Sequence, residues 1–300
     1  MNCTLLLALV AVVVNLAEGL ITNTPVSQLL RQYDSDLAAL QAATSKVVGS
    51  NDVSAEPYSS SVFYLRYCLD SDDPSQRLAK LQKNLSWRMG PGKTICESAA
   101  SAVQQATATG AWNNAPVLAA APHASVIGTF LTPKAVLTTT SEQGDLVYCI
   151  RAGQIDDNGL MKRVTIDQMV DFFLYAKEVN ALVANQRSLQ TDQLVSIITA
   201  NDLSGVGLGG SADFRKALSQ SAKTSNDLYP ATAGPTLLLN LPPLLNALVT
   251  LFTPLFPPAV NKRLKFSQGL LKDIDSLTEI TAGGSKRSSF LQQLNEVVYQ

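Results

Sequence analysis

The sequence predicts an α/β protein with a mixed, largely parallel sheet and flanking helices, preceded by a small all-helical lobe. Residues 194–200 and 236–240 are continuous apolar runs, which are typical of strands buried on both faces. A helical pattern over residues 211–225 separates the two runs. A strand, a helix and a strand in this order predict a parallel pair joined by a right-handed crossover.

A hairpin is expected at the start of this sheet. Residues 136–140 and 146–150 have strand composition, and the polar turn 142–145 separates them. After the hairpin, Thr165 and Gln168 have the spacing of a capping box, and an apolar stripe at helical intervals follows them. We therefore expect a long helix between the hairpin and the next strand.

Helical patterns dominate the chain before the sheet. Thr24 and Pro25 have the form of an N-cap followed by proline at the first helical position. Apolar side chains then recur at helical spacing as far as Gly49. The helices expected in this lobe cover residues 25–48, 62–67 and 74–88, and residues 113–122 are expected to be connecting chain.

These patterns divide the chain into four segments. The expected segments are a signal peptide over residues 1–19, an N-terminal helical lobe over residues 20–110, a larger α/β domain over residues 111–280 and a C-terminal helix over residues 281–300. The last helix is expected to begin at a cap formed by Ser288 or Ser289.

The first 19 residues have the features of a secretory signal peptide. An apolar stretch from Leu5 to Val14 is followed by Ala17 and Gly19, whose small side chains suit signal peptidase. The stretch is too short to span a bilayer comfortably. We expect entry into the secretory pathway, with secretion or residence in the endomembrane lumen. The alternatives are a plastid reached by an ER-type bipartite address and a buried N-terminal helix.

Composition excludes some classes of function. Charged residues make up only 16% of the chain and hydrophobic residues 46%, so the protein has more apolar surface than a plain globule of this size needs to bury. The formal net charge is −1 and no run of lysines or arginines occurs, so we expect no nucleic-acid partner.

The cysteines do not define a metal site or a disulfide framework. Cys68, Cys96 and Cys149 remain after the signal, an odd number without ligand spacing. We expect them to be buried small hydrophobic residues, and the sequence leaves open whether any two are bridged.

The sequence contains few candidate catalytic residues. Gly205 to Gly210 matches a dinucleotide-binding fingerprint between a strand and a helix, but no carboxylate ends the next strand to hold a ribose. His123 is the only histidine, and the carboxylates do not cluster. We therefore expect no catalytic residues, no metal and no cofactor.

The most unusual segment covers residues 244–256, which are apolar around nearly the whole helical circumference. It is either a fully buried core helix or a lid with one face on an apolar cavity and the other on lipid. Lys262, Arg263 and Lys265 follow it, and they suit either a solvated basic turn or an anionic head group or membrane surface.

Five short signatures occur in one order between residues 144 and 266. They are the strand segment 145–156, the strand that ends in Asp202 before Gly205, the pair Tyr229-Pro230, the triplet Asn240-Leu241-Pro242, and Pro254 followed by the basic segment 262–266. In this order they resemble the CRAL-TRIO lipid-binding domain of phosphatidylinositol and tocopherol transfer proteins. Upstream, Tyr64 to Tyr67 and Trp87-Arg88 resemble the helical lobe of that family.

This resemblance implies a cavity closed by a mobile gate helix, which is residues 244–256 here. It also implies that Arg263 lies where family members that bind phosphoinositide keep a basic residue. The candidate pocket and gate residues are Leu248, Leu251, Phe252, Leu255 and Phe256, with Val170 and Phe173 on the facing helix.

We therefore expect a protein that is not an enzyme. It binds a hydrophobic small molecule, a phospholipid or an isoprenoid-type lipid, in an enclosed pocket and transfers or presents it during transient membrane contact. One alternative is a nucleotide-dependent oxidoreductase that uses the loop from Gly205 to Gly210. Another is a scaffold that binds no lipid and contacts a protein partner through the helix over residues 25–48. The sequence does not identify a protein partner.

Overall fold

Five strands form one sheet whose spatial order follows the chain. The computed structural model describes residues 22–49, 55–207, 209–243, 246–247, 263–281 and 283–299. The strands are β1 (Val136–Thr140), β2 (Leu146–Arg151), β3 (Ile197–Asp202), β4 (Ala233–Leu239) and β5 (Leu264–Ser267). β1 runs antiparallel to β2, and the later neighbours are parallel. The mixed, mostly parallel sheet confirms the predicted fold class.

Three strands differ from the prediction. The strand predicted over residues 236–240 is β4, which begins three residues earlier and ends at Leu239. The strand predicted from Leu194 begins at Ile197, because Leu194 packs into the core of the helical lobe and the Val195 amide donates to the Ser188 hydroxyl at 2.9 Å. β5 was not predicted as a strand, since its four residues alternate apolar and polar over too short a stretch to give a strand signal.

The helices of the α/β region are α8 (Asp157–Met161), α9 (Ile166–Thr191) and α10 (Ala212–Leu228). The predicted capping box of α9 is confirmed: the Gln168 amide donates to Thr165 Oγ1 at 3.2 Å, and the Thr165 amide donates to Gln168 Oε1 at 2.9 Å. Because the parallel strands advance in one direction, right-handed crossovers place α9 and α10 on the same face of the sheet. We call this the inner face.

The opposite, outer face is closed by the end of the chain. Helix α11 (Ser285–Val298) packs there, and it begins before the predicted cap at Ser288 or Ser289. The side chains that meet on this face are Val147, Cys149, Ile198, Ala200, Leu237 and Leu239 from the sheet and Leu270, Leu277, Phe290 and Leu294 from the C-terminal segment. All of these side chains are buried, so the outer face of the three central strands is covered.

Helices α1 to α7 precede the sheet. They are α1 (Val26–Gln32), α2 (Asp34–Val48), α3 (Ser61–Asp70), α4 (Pro74–Met89), α5 (Lys93–Thr107), α6 (Ala115–Ala120) and α7 (Ala124–Ile127). The single helix predicted over residues 25–48 is broken at Tyr33, whose backbone leaves the helical region and whose ring lies 5.4 Å from the Arg77 guanidinium. Residues 113–122 contain α6 and are not simply connecting chain.

Buried charges join the lobe to the sheet domain. Arg88 of α4 makes a two-pronged ion pair with Glu178 of α9, with N–O distances of 2.8 and 2.7 Å. Arg66 of α3 donates to Asn185 Oδ1 and to two main-chain carbonyls at 2.6–2.9 Å. A small cavity of about 20 Å³ lies between them. The hydroxyl of Tyr67 on its wall has no hydrogen-bond partner among the described residues.

Neither a membrane span nor a disulfide is found in the part of the chain that the structure describes. No helix there combines the length and apolarity that crossing a membrane requires. Cys68, Cys96 and Cys149 are free thiols; the first and last are buried and Cys96 is half-buried. Residues 1–19 lie outside the described residues, so the signal peptide stays a prediction.

Candidate functional site

The inner face of the sheet is incompletely covered at the carboxyl ends of its central strands. The strand register places Tyr148 beside Thr199 and Ile150 beside Asn201 on this face. All four side chains are only half-buried, whereas central strands of a parallel sheet are normally buried on both faces. The inner face of β2 and β3 therefore keeps partly exposed side chains at the edge where open α/β sheets bind ligands.

Two helices lie above this face. Val170, Phe173 and Lys177 follow one another on one side of α9, and all three are half-buried. From α10, the Phe214 ring lies 5.8 Å from the Phe173 ring in an edge-to-face arrangement. We use the name inner groove for the half-buried side chains of this face and of the two helices above it, which are Tyr148, Ile150, Thr199, Asn201, Val170, Phe173, Lys177 and Phe214.

Lys177 is the charged residue of the inner groove. Its Nζ donates to Ser225 Oγ of α10 at 2.6 Å, and the Ser225 hydroxyl donates in turn to the Ala222 carbonyl at 2.9 Å. Burial lowers the pKa of Lys177 to about 8. Sequence reasoning missed this residue, although its position four residues after Phe173 continues the apolar stripe and was the available signal.

The predicted pocket residues Val170 and Phe173 lie one turn apart on α9 and are half-buried, and their role in a pocket stays a prediction. The other predicted pocket and gate residues, together with one basic residue, lie outside the described residues; they are Leu248, Leu251, Phe252, Leu255, Phe256 and Lys262. Arg263 is buried directly before β5. The register pairs Lys265 with Leu237 of the outer face, so the structure does not bring Lys265 to Val170 and Phe173.

The polar residues that led to the family resemblance stabilise the sheet edge. Asp202 Oδ1 accepts hydrogen bonds from the amide and hydroxyl of Ser204 and from Asn240 Nδ2, at 2.8–3.1 Å. Its other oxygen lies 3.3 Å from Arg151 Nε in a buried ion pair. Asn240, at φ +51, also bonds to the backbone of Gly269 and Leu270. These residues join strand ends to the C-terminal segment.

The glycine-rich loop lacks the geometry of a dinucleotide site. At the start of α10, the Ser211 amide donates to Asp157 Oδ2 at 2.9 Å, so a carboxylate occupies the position where a pyrophosphate would bind. The sheet also lacks the reversal of strand order at which dinucleotides bind in doubly wound folds. The loop from Gly205 to Gly210 therefore fits a structural turn better than a cofactor cradle. Within the described ranges, no group of His, Cys, Asp and Glu side chains is arranged to hold a metal ion.

Comparison with known proteins identifies the family. The profile of the CRAL/TRIO domain matches residues 132–284, just over half of the chain. The chain belongs to the CRAL/TRIO family. The crystal structure of Sfh5 is similar to this CRAL/TRIO protein with a TM-score of 0.51 and 12% sequence identity, covering 81% of this chain and 82% of that chain, which supports the fold. No curated protein matches the sequence.

Family membership supports lipid binding or transfer in general for this CRAL/TRIO protein. Proteins of this family are generally lipid-transfer proteins and not enzymes.

Proposed function

We propose that this CRAL/TRIO protein holds one hydrophobic molecule, a phospholipid or an isoprenoid-type lipid, in the inner groove. It transfers or presents that molecule at membranes without changing it chemically. The observation that supports the proposal is the half-exposed inner face of β2 and β3, which a ligand would cover. Each buried CH₂ group contributes about 0.8 kcal/mol, so a long hydrocarbon chain supplies the driving force for binding.

The polar side chains of the floor give such a ligand a direction. Tyr148, Thr199 and Asn201 supply hydrogen-bonding groups on one strip of an otherwise apolar surface. Val170, Phe173 and Phe214 supply apolar walls. A groove with a few polar groups among apolar ones is typical of small-molecule sites. Two further parts of the proposal rest on the sequence alone. The protein acts in the secretory pathway, and residues 244–256 cover the groove.

Mass spectrometry of the natively purified chain tests the proposal. The chain is produced in a lipid-containing host, and organic extracts are compared for wild type, Phe173→Asp and Val170→Trp. We expect one equivalent of a hydrophobic molecule in the wild type and its loss in both variants, because the first charges the groove and the second fills it. Leu118→Asp is the matched control, since Leu118 is 49% exposed on α6 outside the groove.

The two groove variants must keep the circular dichroism spectrum of the wild type, so that a loss of ligand is not a loss of fold. A wild-type protein that is empty and acquires nothing from offered lipid mixtures would overturn the proposal in favour of the scaffold. Retention of ligand by both groove variants would place the site elsewhere.

A further inference from the structure

We infer that the lipid in the inner groove carries a carboxylate, and that this carboxylate pairs with the ammonium group of Lys177. The inference rests on the proposed function, because it names the ligand class of the same groove. It starts from the position of Lys177, one helical turn beyond Phe173 on the wall formed by α9.

Lys177 retains hydrogen-bonding capacity. Of its three N–H groups, one donates to Ser225 Oγ, and the described residues provide no acceptor for the other two. Ser225 cannot donate to a ligand at the same time, because its hydroxyl proton is engaged by the Ala222 carbonyl. The groove therefore offers two ammonium hydrogens at one point, which match the two oxygens of one carboxylate.

None of the described carboxylates lies within ion-pair distance of Lys177, whose Nζ donates to Ser225. Glu178 is paired with Arg88, and Asp227 of α10 is paired with Lys83. Burial lowers the pKa of Lys177 to about 8, so at pH 7 the group is still mainly charged. A buried ammonium without a counterion is destabilising, and a ligand anion removes that cost.

A carboxylate fits this position better than a phosphate. Phosphate groups are held by several donors, often the fork of an arginine. The two arginines on the helices that form the walls are engaged elsewhere: Arg187 donates to Thr140 Oγ1 at 2.6 Å, and Arg215 donates to the Gly210 carbonyl at 3.1 Å. Beyond Lys177, α9 is buried at Asn180, Ala184 and Ser188. The partly exposed side of α9 thus ends near Lys177, and we place the head group there.

Competition between oleate and oleyl alcohol tests the inference, because the two molecules share one hydrocarbon chain and differ in the head group. Each displaces a fluorescent fatty-acid probe from the delipidated chain. We expect the wild type to bind oleate at least tenfold more tightly than the alcohol. Lys177→Met should remove that preference and leave alcohol binding unchanged or tighter. Lys216→Met is the matched control, since Lys216 is exposed on α10.

The outcomes separate the inference from the proposed function. Equal binding of both molecules, with no effect of Lys177→Met on either, would overturn the carboxylate and leave the hydrophobic groove in place. Binding of neither molecule, nor of phospholipids from vesicles, by a folded wild type would overturn the proposed function itself. A preference for oleate that survives in Lys177→Met would also overturn the inference, since another group would then hold the carboxylate.

Discussion

The protonation state of Lys177 affects the stability of the folded protein. Its pKa in the folded protein, about 8, lies below the ordinary value of 10.5, so the unfolded chain binds the proton more tightly. The charged, buried Lys177 therefore destabilises the folded protein. This destabilisation is fully present below about pH 8, and the free energy of unfolding rises as the pH increases from about 8 to about 10. A bound carboxylate would neutralise the ammonium group of Lys177 and so remove this destabilisation.

Lys177→Met is therefore expected to raise the free energy of unfolding of the ligand-free protein at pH 7. The gain should shrink as the pH rises from about 8 to about 10, because wild-type Lys177 then loses its proton in the folded state. Urea denaturation at several pH values measures both effects. Lys223→Met, at an exposed position on α10, should show no such trend. A gain that stays constant across this range would contradict the explanation.

Single residues also show where sequence reasoning stops. Val170 and Phe173 were proposed as pocket residues because they lie on the helix that is expected to face the gate. The structure describes both as half-buried on α9, and their role in a pocket stays a prediction. Lys177 was not predicted, because a lysine in a helical stripe usually reaches solvent, and only the packing of α10 shows that this one does not. Asp202 and Asn240 were recognised as signatures, but their bonds to the C-terminal segment require the tertiary structure.

Among the elements, α9 shows how local sequence specifies a boundary. Its capping box satisfies two backbone N–H groups at the start of the helix that forms one wall of the groove. Thr165→Ala should destabilise the protein by about 1 kcal/mol, because the Gln168 amide loses its acceptor. Thr165→Ser keeps that acceptor and should be nearly neutral in urea denaturation. Equal losses in the two variants would show that the cap does not account for the effect.

Elements with long-range determinants were harder to predict. The hairpin strands carry strong local signals and lie within a residue of their predicted bounds, and α9 begins directly after its predicted cap. The break between α1 and α2 depends on Tyr33 contacting Arg77, which is 44 residues later and invisible to a periodicity argument. β5 pairs with β4, and its own four residues alternate over too short a stretch to predict a strand.

At the scale of the whole molecule, the pair Arg88–Glu178 joins the helical lobe to the sheet domain. Both side chains are almost fully buried, so removal of one partner leaves a buried charge without compensation. Arg88→Met should destabilise the protein by about 3–5 kcal/mol in urea denaturation. The double variant Arg88→Met with Glu178→Leu should lose clearly less, because no charge remains unpaired.

An exposed ion pair provides the control for that experiment. Lys83 and Asp227 also link the lobe to the sheet domain, at 2.5 Å, but both are solvent-exposed. Lys83→Met should therefore cost no more than about 1 kcal/mol. The buried pair has its own contradicting outcome. If Arg88→Met with Glu178→Leu were as unstable as Arg88→Met alone, the loss of stability would come from packing and not from the buried charge.

The three free thiols lie in three different parts of the molecule. Cys68 is in α3, Cys96 in α5 and Cys149 in β2, and burial raises their pKa values to about 11, 12 and 12. Because alkylating reagents attack the thiolate, each cysteine reacts appreciably only while its surroundings are open. The chain thus contains natural reporters of local opening. The time courses of their alkylation under native conditions will show whether the lobe opens before the sheet or together with it.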